Sequence, residues 1–211
     1  MSITAVIFDL GGVVLDSPLA VFAAYERELG LAPHTLNKAI VAAGTGGAWA
    51  RLERGELTMQ EFCVAFDREN AAIGITVSSA TLMARVAEHS AVRPNVVHAI
   101  RMLRGHGLKV AALTNNWVSD DQQQKMDVLR GEFDVFIEST RVGLRKPDVR
   151  IYQLACRELA VQPPQVAYLD DIGLNLKPAR ALGMTTIKVE DIAAALAELG
   201  QAVNLDLVAH A

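Results

Sequence analysis

The sequence contains little cysteine, few aromatic residues and no concentration of charge of one sign. Its 211 residues include two cysteines and 5% aromatic residues, and 20 basic against 24 acidic side chains give a net charge of −4. Cys63 and Cys156 match no metal-ligand spacing, which predicts free thiols in a reducing compartment. Because no run of basic residues is present, neither nucleic acid nor a membrane surface is expected as a partner.

Long hydrophobic runs are also absent. Charged residues or glycines interrupt every apolar run before the roughly 18 residues that a membrane-spanning helix needs. The N-terminal residues lack the basic region and the small-residue cleavage site of a signal peptide, so we expect a cytoplasmic protein. Since 51% of the residues are hydrophobic and 21% are charged, the chain can bury a sizeable core, which excludes global disorder.

Short apolar runs alternate with stretches of helical periodicity along most of the chain. This alternation is typical of βαβ units around a parallel sheet that is covered on both faces. The predicted strands are Thr4–Phe8, Lys109–Leu113, Val135–Glu138, Gln165–Leu169 and Thr186–Val189. Helices are predicted from Pro94, over Asp148–Ala160 and over Ile192–Leu199, the last ending at Gly200. The expected fold class is α/β, with a Rossmann-like, three-layer core.

The connection after the first strand is too long for a plain crossover. It runs from Ser17 to Arg93, and Thr58 with Glu61 forms a capping-box pattern inside it. Its helical patterns cover Leu19–Leu29, Thr35–Ala43, Met59–Glu69 and Ala80–Glu88. We therefore predict a small helical cap domain, residues 17–93, inserted into a core domain formed by residues 1–16 and 94–211.

Polar residues and glycines cluster where the predicted strands end or the next helices begin. In open parallel sheets ligands bind outside the carboxyl ends of the strands, so these residues should converge. They are Asp9, Gly11, Gly12, Thr114, Asn115, Asn116, Lys146, Asp170, Asp171 and Asn175. Each segment alone is also typical of an ordinary turn or helix cap. Their occurrence together, in this order, favours a single functional site.

The residue types at this edge suit phosphate chemistry. A carboxylate such as Asp9 can attack phosphorus and carry it covalently. Two further carboxylates can hold Mg²⁺, which prefers oxygen ligands. The ammonium group of Lys146 and the hydroxyl of Thr114 can stabilise the charge that spreads over the phosphoryl oxygens.

Four segments of the chain resemble the four motifs of the haloacid dehalogenase superfamily. The resemblance is greatest to the phosphatase-type branch that includes the N-terminal domain of soluble epoxide hydrolase. The segments read FDLGGVV from residue 8, LTNNW from 113, VGLRKPD from 142 and YLDDIGLNLKPAR from 168. The resemblance implies that superfamily's α/β fold with a helical cap, and hydrolysis of a small phosphorylated metabolite.

The resemblance also implies catalytic and metal-binding roles. Asp9 would be the nucleophile that forms an aspartyl-phosphate. Mg²⁺ would be held by the Asp9 carboxylate, the Gly11 carbonyl and Asp171. Asp170 would orient Lys146 and a metal-bound water.

Further residues are implied to contact the substrate or to support the site. Thr114 and Asn115, together with Gly11, would bind the phosphoryl group. Asn175 would support the loop that carries the metal ligands. The cap would select the substrate. We expect the chain to act as a monomer or a homodimer.

Gly11 departs from the usual phosphatase pattern, which has a second aspartate two residues after the nucleophile. General acid–base assistance contributes roughly 10²–10⁴-fold to a rate, so substrates with good leaving groups are expected to be favoured. The departure leaves open a weakly active or inactive binding or regulatory protein. A 2-haloacid dehalogenase, which attacks carbon without Mg²⁺, also remains open, although Thr114 favours phosphate.

Overall fold

The computed structural model of this protein describes residues 2–118 and 126–208. Its centre is a five-stranded sheet in which every strand pair is parallel, in the order β3-β2-β1-β4-β5. The strands are β1 (Ala5–Phe8), β2 (Lys109–Thr114), β3 (Val135–Glu138), β4 (Val166–Asp170) and β5 (Thr185–Lys188). Each predicted strand is present, with ends shifted by at most one residue.

The central strand is buried on both faces. Successive side chains of a strand point to opposite faces of its sheet, so Val6 and Phe8 join one hydrophobic cluster and Ala5 and Ile7 join another. This is why β1 has an uninterrupted apolar sequence, AVIF, and not an alternating one.

Helices cover both faces of the sheet, which gives the predicted three-layer α/β core. Helices α6 (Pro94–Gly105) and α10 (Ile192–Val203) pack on one face. On the other lie α8 (Val149–Leu159) and α9 (Gly173–Ala181). A short helix, α7 (Ser139–Val142), follows β3, and residues 126–130 are also helical. Among the described residues, no helix is long and apolar enough to span a membrane.

The insertion after β1 is helical and has a hydrophobic cluster of its own. Its helices are α1 (Pro18–Glu28), α2 (Thr35–Ala43), α3 (Ala48–Glu53), α4 (Met59–Ala71) and α5 (Ser79–Glu88). Trp49 lies at its centre, with ring centroids 5.4 Å from Phe22, 5.5 Å from Phe62 and 5.7 Å from Phe66. We refer to these helices as the cap.

The chain enters and leaves the cap through two adjacent segments. The backbone N–H of Asp16 donates to the Ala91 carbonyl over 3.0 Å, and that of Arg93 donates to the Val14 carbonyl over 2.9 Å. An ion pair between Arg93 and Asp16, 3.3 Å long, joins the same two segments. The entry and exit of the cap are thus fixed beside the carboxyl end of β1.

Local sequence signals fix some helix ends and mislead at others. Thr58 and Glu61 form both bonds of the predicted capping box, and Pro94 opens α6 as predicted. The prediction that Gly200 ends the last helix is wrong, because α10 continues to Val203 and is closed by Asn204 in the left-handed conformation. A Cβ at Gly200 would lie 2.4 Å from the Leu205 carbonyl oxygen, so this glycine permits close backbone packing.

The strand order reverses direction at β1, which places a crevice between β1 and β4. From β1 the chain adds β2 and β3 on one side, then β4 and β5 on the other. Phe8 pairs with Leu169 in register, so the residues after both strands lie side by side. Such a switch point is the usual ligand-binding position in an open parallel sheet.

Candidate active site

Asp9 lies at the carboxyl end of β1, in the crevice next to β4. Its backbone N–H continues the ladder by donating to the Leu169 carbonyl over 2.9 Å. Its side chain turns inward: Oδ1 accepts from the Leu10 N–H over 2.6 Å and lies 2.8 Å from Lys146 Nζ. The predicted nucleophile is therefore held in one orientation, with only 6% of its surface exposed.

Lys146 lies between two carboxylates. Its Nζ is 2.8 Å from Asp9 Oδ1 and 2.8 Å from Asp170 Oδ2, and its side chain is 1% exposed. Burial alone would lower the pKa of this ammonium group, but the charges of Asp170 and Asp9 outweigh burial and raise it. Lys146 therefore remains a cation at neutral pH.

Both carboxylate oxygens of Asp170 accept hydrogen bonds. Besides Lys146, it accepts from Asn175 Nδ2 at 3.1 Å, from the Ile172 N–H at 2.8 Å and from the Tyr168 hydroxyl. These donors fix the carboxylate, which in turn fixes Lys146 Nζ. Tyr168 was not predicted, because in sequence it reads as one more residue of a buried strand.

Asp171 approaches the glycine turn after β1 very closely. A Cβ at Gly12 would lie 2.1 Å from Asp171 Oδ2, and Gly12 has a φ of +83°. The Ser17 hydroxyl, at the N-cap of α1, donates to the same oxygen over 3.1 Å. Only glycine fits at position 12, whereas a Cβ at Gly11 would make an ordinary 3.7 Å contact with Pro18. Of the two neighbouring glycines, the structure therefore requires glycine at position 12 but not at position 11.

The three acidic groups suit a hard cation. One oxygen from each of Asp9, Asp170 and Asp171 lies within 4.8 Å of the other two. Burial raises the pKa of Asp9 well above its usual value in spite of the opposing charge of Lys146, with Asp170 and Asp171 adding to the increase. Burial and the charge of Asp170 likewise raise the pKa of Asp171 to about 6. Because a divalent cation would relieve this repulsion and prefers carboxylate ligands, the donor set fits Mg²⁺.

Thr114 and Asn115 lie at the end of β2, on the other side of β1. Thr114 is buried, with a 3.4 Å contact from its hydroxyl to the Asn115 carbonyl. The Asn115 side chain makes two hydrogen bonds with the backbone of Lys146: Oδ1 accepts from N–H at 2.8 Å, and Nδ2 donates to C=O at 3.1 Å. Asn115 therefore joins the β2 loop to the lysine loop; phosphoryl binding by Thr114 and Asn115 stays a prediction.

Two buried carboxylates at this edge, Glu138 and Glu53, were not indicated by the sequence. Asn116 Nδ2 donates to the buried Glu138 over 2.9 Å, which joins the ends of β2 and β3. Glu53, at the end of cap helix α3, lies 2.5 Å from Arg145 Nε. Both contacts join segments distant in sequence, so no local pattern could indicate them.

The structure brings most of the predicted site together. Asp9, Lys146, Asp170, Asp171 and Asn175 form one connected group around the β1–β4 crevice. Gly11 follows Asp9 in the same turn, and Thr114 and Asn115 lie at the neighbouring strand end. The geometry can hold a nucleophilic carboxylate, a fixed cation and a divalent metal within one buried site.

Comparison with known proteins shows which family the sequence of this chain matches. A family model described as haloacid dehalogenase-like hydrolase matches residues 3–183. The chain is 35% identical to bifunctional epoxide hydrolase 2 of Sus scrofa over 222 residues, covering 99% of this chain and 40% of that protein. It is 27% identical to a sesquiterpene phosphatase of Aspergillus oryzae, covering 95% of this chain and 96% of that protein. Across four curated relatives of 33–38% identity, it spans only 19–40% of their length.

A solved structure shows the same fold. It is a HAD family enzyme from Bacteroides thetaiotaomicron in complex with magnesium and inorganic phosphate. The TM-score is 0.63 at 19% identity, and the match covers 92% of this chain and 98% of that one.

Proposed function

Because the chain belongs to the haloacid dehalogenase-like hydrolases, we propose that it is a Mg²⁺-dependent phosphatase acting on a small phosphorylated metabolite. The observation that carries this proposal is the buried Asp9 carboxylate, 2.8 Å from Lys146 and grouped with Asp170 and Asp171. Support comes also from the relative named as a phosphatase and from the structural neighbour that contains magnesium and phosphate.

The metal would be held by the carboxylates of Asp9 and Asp171 and by the carbonyl of Gly11. When bound, it would neutralise charge on these carboxylates and on the phosphoryl oxygens. Gly12 allows this arrangement, since any side chain there would displace the Asp171 carboxylate.

The reaction would proceed in two displacements at phosphorus. In the first, an Asp9 oxygen forms a bond to phosphorus while the bond to the leaving oxygen breaks. In the second, water attacks the aspartyl-phosphate, phosphate leaves and the Asp9 carboxylate is regenerated. Lys146, fixed by Asp170, would stabilise the negative charge on the phosphoryl oxygens in both steps.

Gly11 narrows the substrate class that the site can turn over quickly. It has no side chain to protonate the leaving oxygen, and its Cβ position has space for one. Phosphates whose leaving group needs little protonation, such as anomeric sugar phosphates or acyl phosphates, would then react faster than simple alkyl phosphates. Glucose 1-phosphate should be hydrolysed faster than glucose 6-phosphate; equal or reversed rates would contradict this preference.

The test is hydrolysis of p-nitrophenyl phosphate and of a panel of phosphorylated metabolites, with Mg²⁺ or with EDTA. Asp9→Asn, which keeps the shape of the side chain, serves as the blank. Turnover that needs both Mg²⁺ and Asp9 supports the proposal. Absence of any turnover would favour the inactive binding or regulatory protein, and chloride release from 2-chloropropionate in EDTA would favour a dehalogenase.

The described structure leaves Cys63 and Cys156 as free thiols. We propose that the reaction takes place in the cytoplasm, because free thiols are typical of a reducing compartment. We propose either a monomer or a homodimer as the acting species, and sedimentation analysis will distinguish the two.

A further inference from the structure

Glu53 is a buried cap carboxylate that contacts the core. It is the last residue of α3 and is 6% exposed. Its Oε2 lies 2.5 Å from Arg145 Nε and accepts from Asn115 Nδ2 over 3.4 Å. Its Oε1 accepts from Trp49 Nε1 over 3.0 Å, so both oxygens are engaged.

The two core partners of Glu53 both control the position of Lys146. Arg145 directly precedes the lysine in the chain, and Asn115 makes hydrogen bonds to both the N–H and the C=O of Lys146. Glu53 therefore contacts the loop at the residue before the lysine and at the side chain that binds its backbone. A shift of that loop would move Nζ away from Asp9 and Asp170.

The cap segment that carries Glu53 is itself fixed on the core. The Trp49 ring lies 5.8 Å from the ring of Trp117, which follows the β2 loop. Two residues after Glu53, a Cβ at Gly55 would lie 2.8 Å from the Thr140 carbonyl oxygen, so the backbones pack directly. These contacts hold the Glu53 carboxylate at a defined position relative to the lysine loop.

Stability alone is a weak reason for this arrangement. A buried ion pair loses much of its attraction to the cost of removing both charges from water, and apolar replacements are often as stable. Burial indeed raises the pKa of Glu53, although Arg145 opposes that effect. The pair is better explained by the geometry that it imposes on its neighbours.

We propose that Glu53 is a positioning residue, which fixes the Lys146 loop through Arg145 and Asn115. The lysine is then correctly placed only while α3 is docked on the core, so the cap contributes to catalysis as well as to substrate selection. This inference rests on the proposed phosphatase function, but its structural part can be measured without any substrate.

The test variant is Glu53→Gln, which keeps the shape of the side chain but removes its charge. The matched control is Glu56→Gln, because Glu56 lies in the same turn and pairs with Arg54 at 2.6 Å but is exposed. Altering a group that orients a catalytic residue costs roughly 10–100-fold in activity, so we expect kcat to fall by about 10-fold or more with KM nearly unchanged. The control should retain wild-type kcat.

Amide hydrogen exchange provides the second measurement. Residues 143–148 should exchange faster in Glu53→Gln than in the wild type or in Glu56→Gln, without substrate or metal. If the wild type shows no phosphatase activity, the proposed function fails, and this exchange still decides whether Glu53 fixes the loop. Unchanged exchange in this segment overturns the inference.

Arg145→Gln removes the other member of the pair. Since the two side chains act as a unit, the double variant should lose no more kcat than either single variant. Additive losses would overturn the inference. Should Glu53→Gln fail to fold, Arg145→Gln alone carries the test, with the same loss of kcat and the same faster exchange expected.

Discussion

The core and the cap use their buried polar groups differently. In the core, Asp9, Lys146 and Asp170 converge on one sheet edge, and three carboxylates share one site. In the cap, buried polar groups mainly satisfy local backbone. Glu26, for example, accepts from the N–H groups of His34 and Leu36, both at 2.8 Å, and so caps α2.

The difference indicates where the chemistry takes place. Buried carboxylates that repel one another, as those of the core do, lower the stability of the fold. Such clusters are therefore typical of sites that bind a ligand or carry out a reaction. Groups that only satisfy helix ends carry no such cost. Glu53 is the exception in the cap, since it contacts the core loop that carries Lys146. Substitutions in the core site should therefore affect activity more strongly than substitutions of cap groups that only satisfy local backbone.

The largest expected effect is that of Lys146→Met, which removes the core cation while roughly keeping its volume. We expect kcat/KM to fall roughly 10³-fold, since a charged group that stabilises the transition state is lost. Leaving Asp9 and Asp170 buried without their partner should also lower the free energy of unfolding by about 3–5 kcal/mol. Steady-state kinetics and urea unfolding measure both quantities. A kcat/KM within tenfold of the wild-type value would show that catalysis does not depend on the Lys146 ammonium group.

Gly11→Asp should increase activity. The structure has space for a Cβ at position 11, and the new carboxylic acid can protonate the leaving oxygen. Turnover of glucose 6-phosphate should rise by roughly 10²-fold, while that of p-nitrophenyl phosphate should change little. Gly12→Ala is the matched control, because a Cβ there collides with Asp171 and should abolish Mg²⁺-dependent activity. No gain in Gly11→Asp would show that proton donation does not limit the rate.

Stability without metal should fall as the pH rises from about 4 to 6. The pKa of Asp171 is about 6 in the folded protein against 3.8 unfolded, so the folded state binds more protons across this window. Discounted for the partial exposure of Asp171, the loss is on the order of 2 kcal/mol. Asp9, whose pKa is also raised, contributes in the same direction.

The Asp171→Asn variant tests whether ionisation of Asp171 causes this loss of stability. Thermal unfolding in EDTA should show a smaller fall with pH for this variant than for the wild type. Mg²⁺ should stabilise the wild type more at pH 7.5 than at pH 5, and should not stabilise the variant. If the stability of the wild type did not change between pH 4 and 6, the proposed repulsion between the buried carboxylates would be contradicted.

The smallest effect is expected for Tyr168→Phe. The variant removes one of several donors to Asp170 and leaves Lys146 and Asn175 in place. We expect kcat to fall roughly 3- to 10-fold, with KM unchanged, because Asp170 is held less firmly. Tyr25→Phe is the cap control: its hydroxyl donates to the Ser78 carbonyl, away from the site, and kcat should stay at the wild-type value.

Much of the core could be predicted from sequence, because its strands are short and largely apolar and several of its site residues lie at or directly after a strand end. Asp9 and Asp170 illustrate this, since a parallel sheet brings both strand ends to one edge. The helices α3, α7 and α9 were not predicted. Two of them are only a few residues long, and α9 begins at a glycine and contains Pro178.

The contacts between cap and core could not be predicted. Glu53 and Arg145 are 92 residues apart and follow no periodic pattern, so only the folded chain shows that they pair. The family resemblance implies phosphoryl binding by Asn115, which stays a prediction, but the two hydrogen bonds of its side chain to the Lys146 backbone could not be predicted. Side-chain use of this kind depends on the tertiary arrangement and not on local sequence.

The most direct test of the central claim is a crystal structure of the protein with magnesium and beryllofluoride, a mimic of a phosphorylated aspartate. We predict beryllium bonded to an Asp9 carboxylate oxygen, a magnesium ion bound by Asp9 and Asp171, and Lys146 Nζ against a fluorine. An Asp9 without beryllofluoride at saturating concentrations, or a magnesium ion bound away from Asp171, would contradict the proposed chemistry.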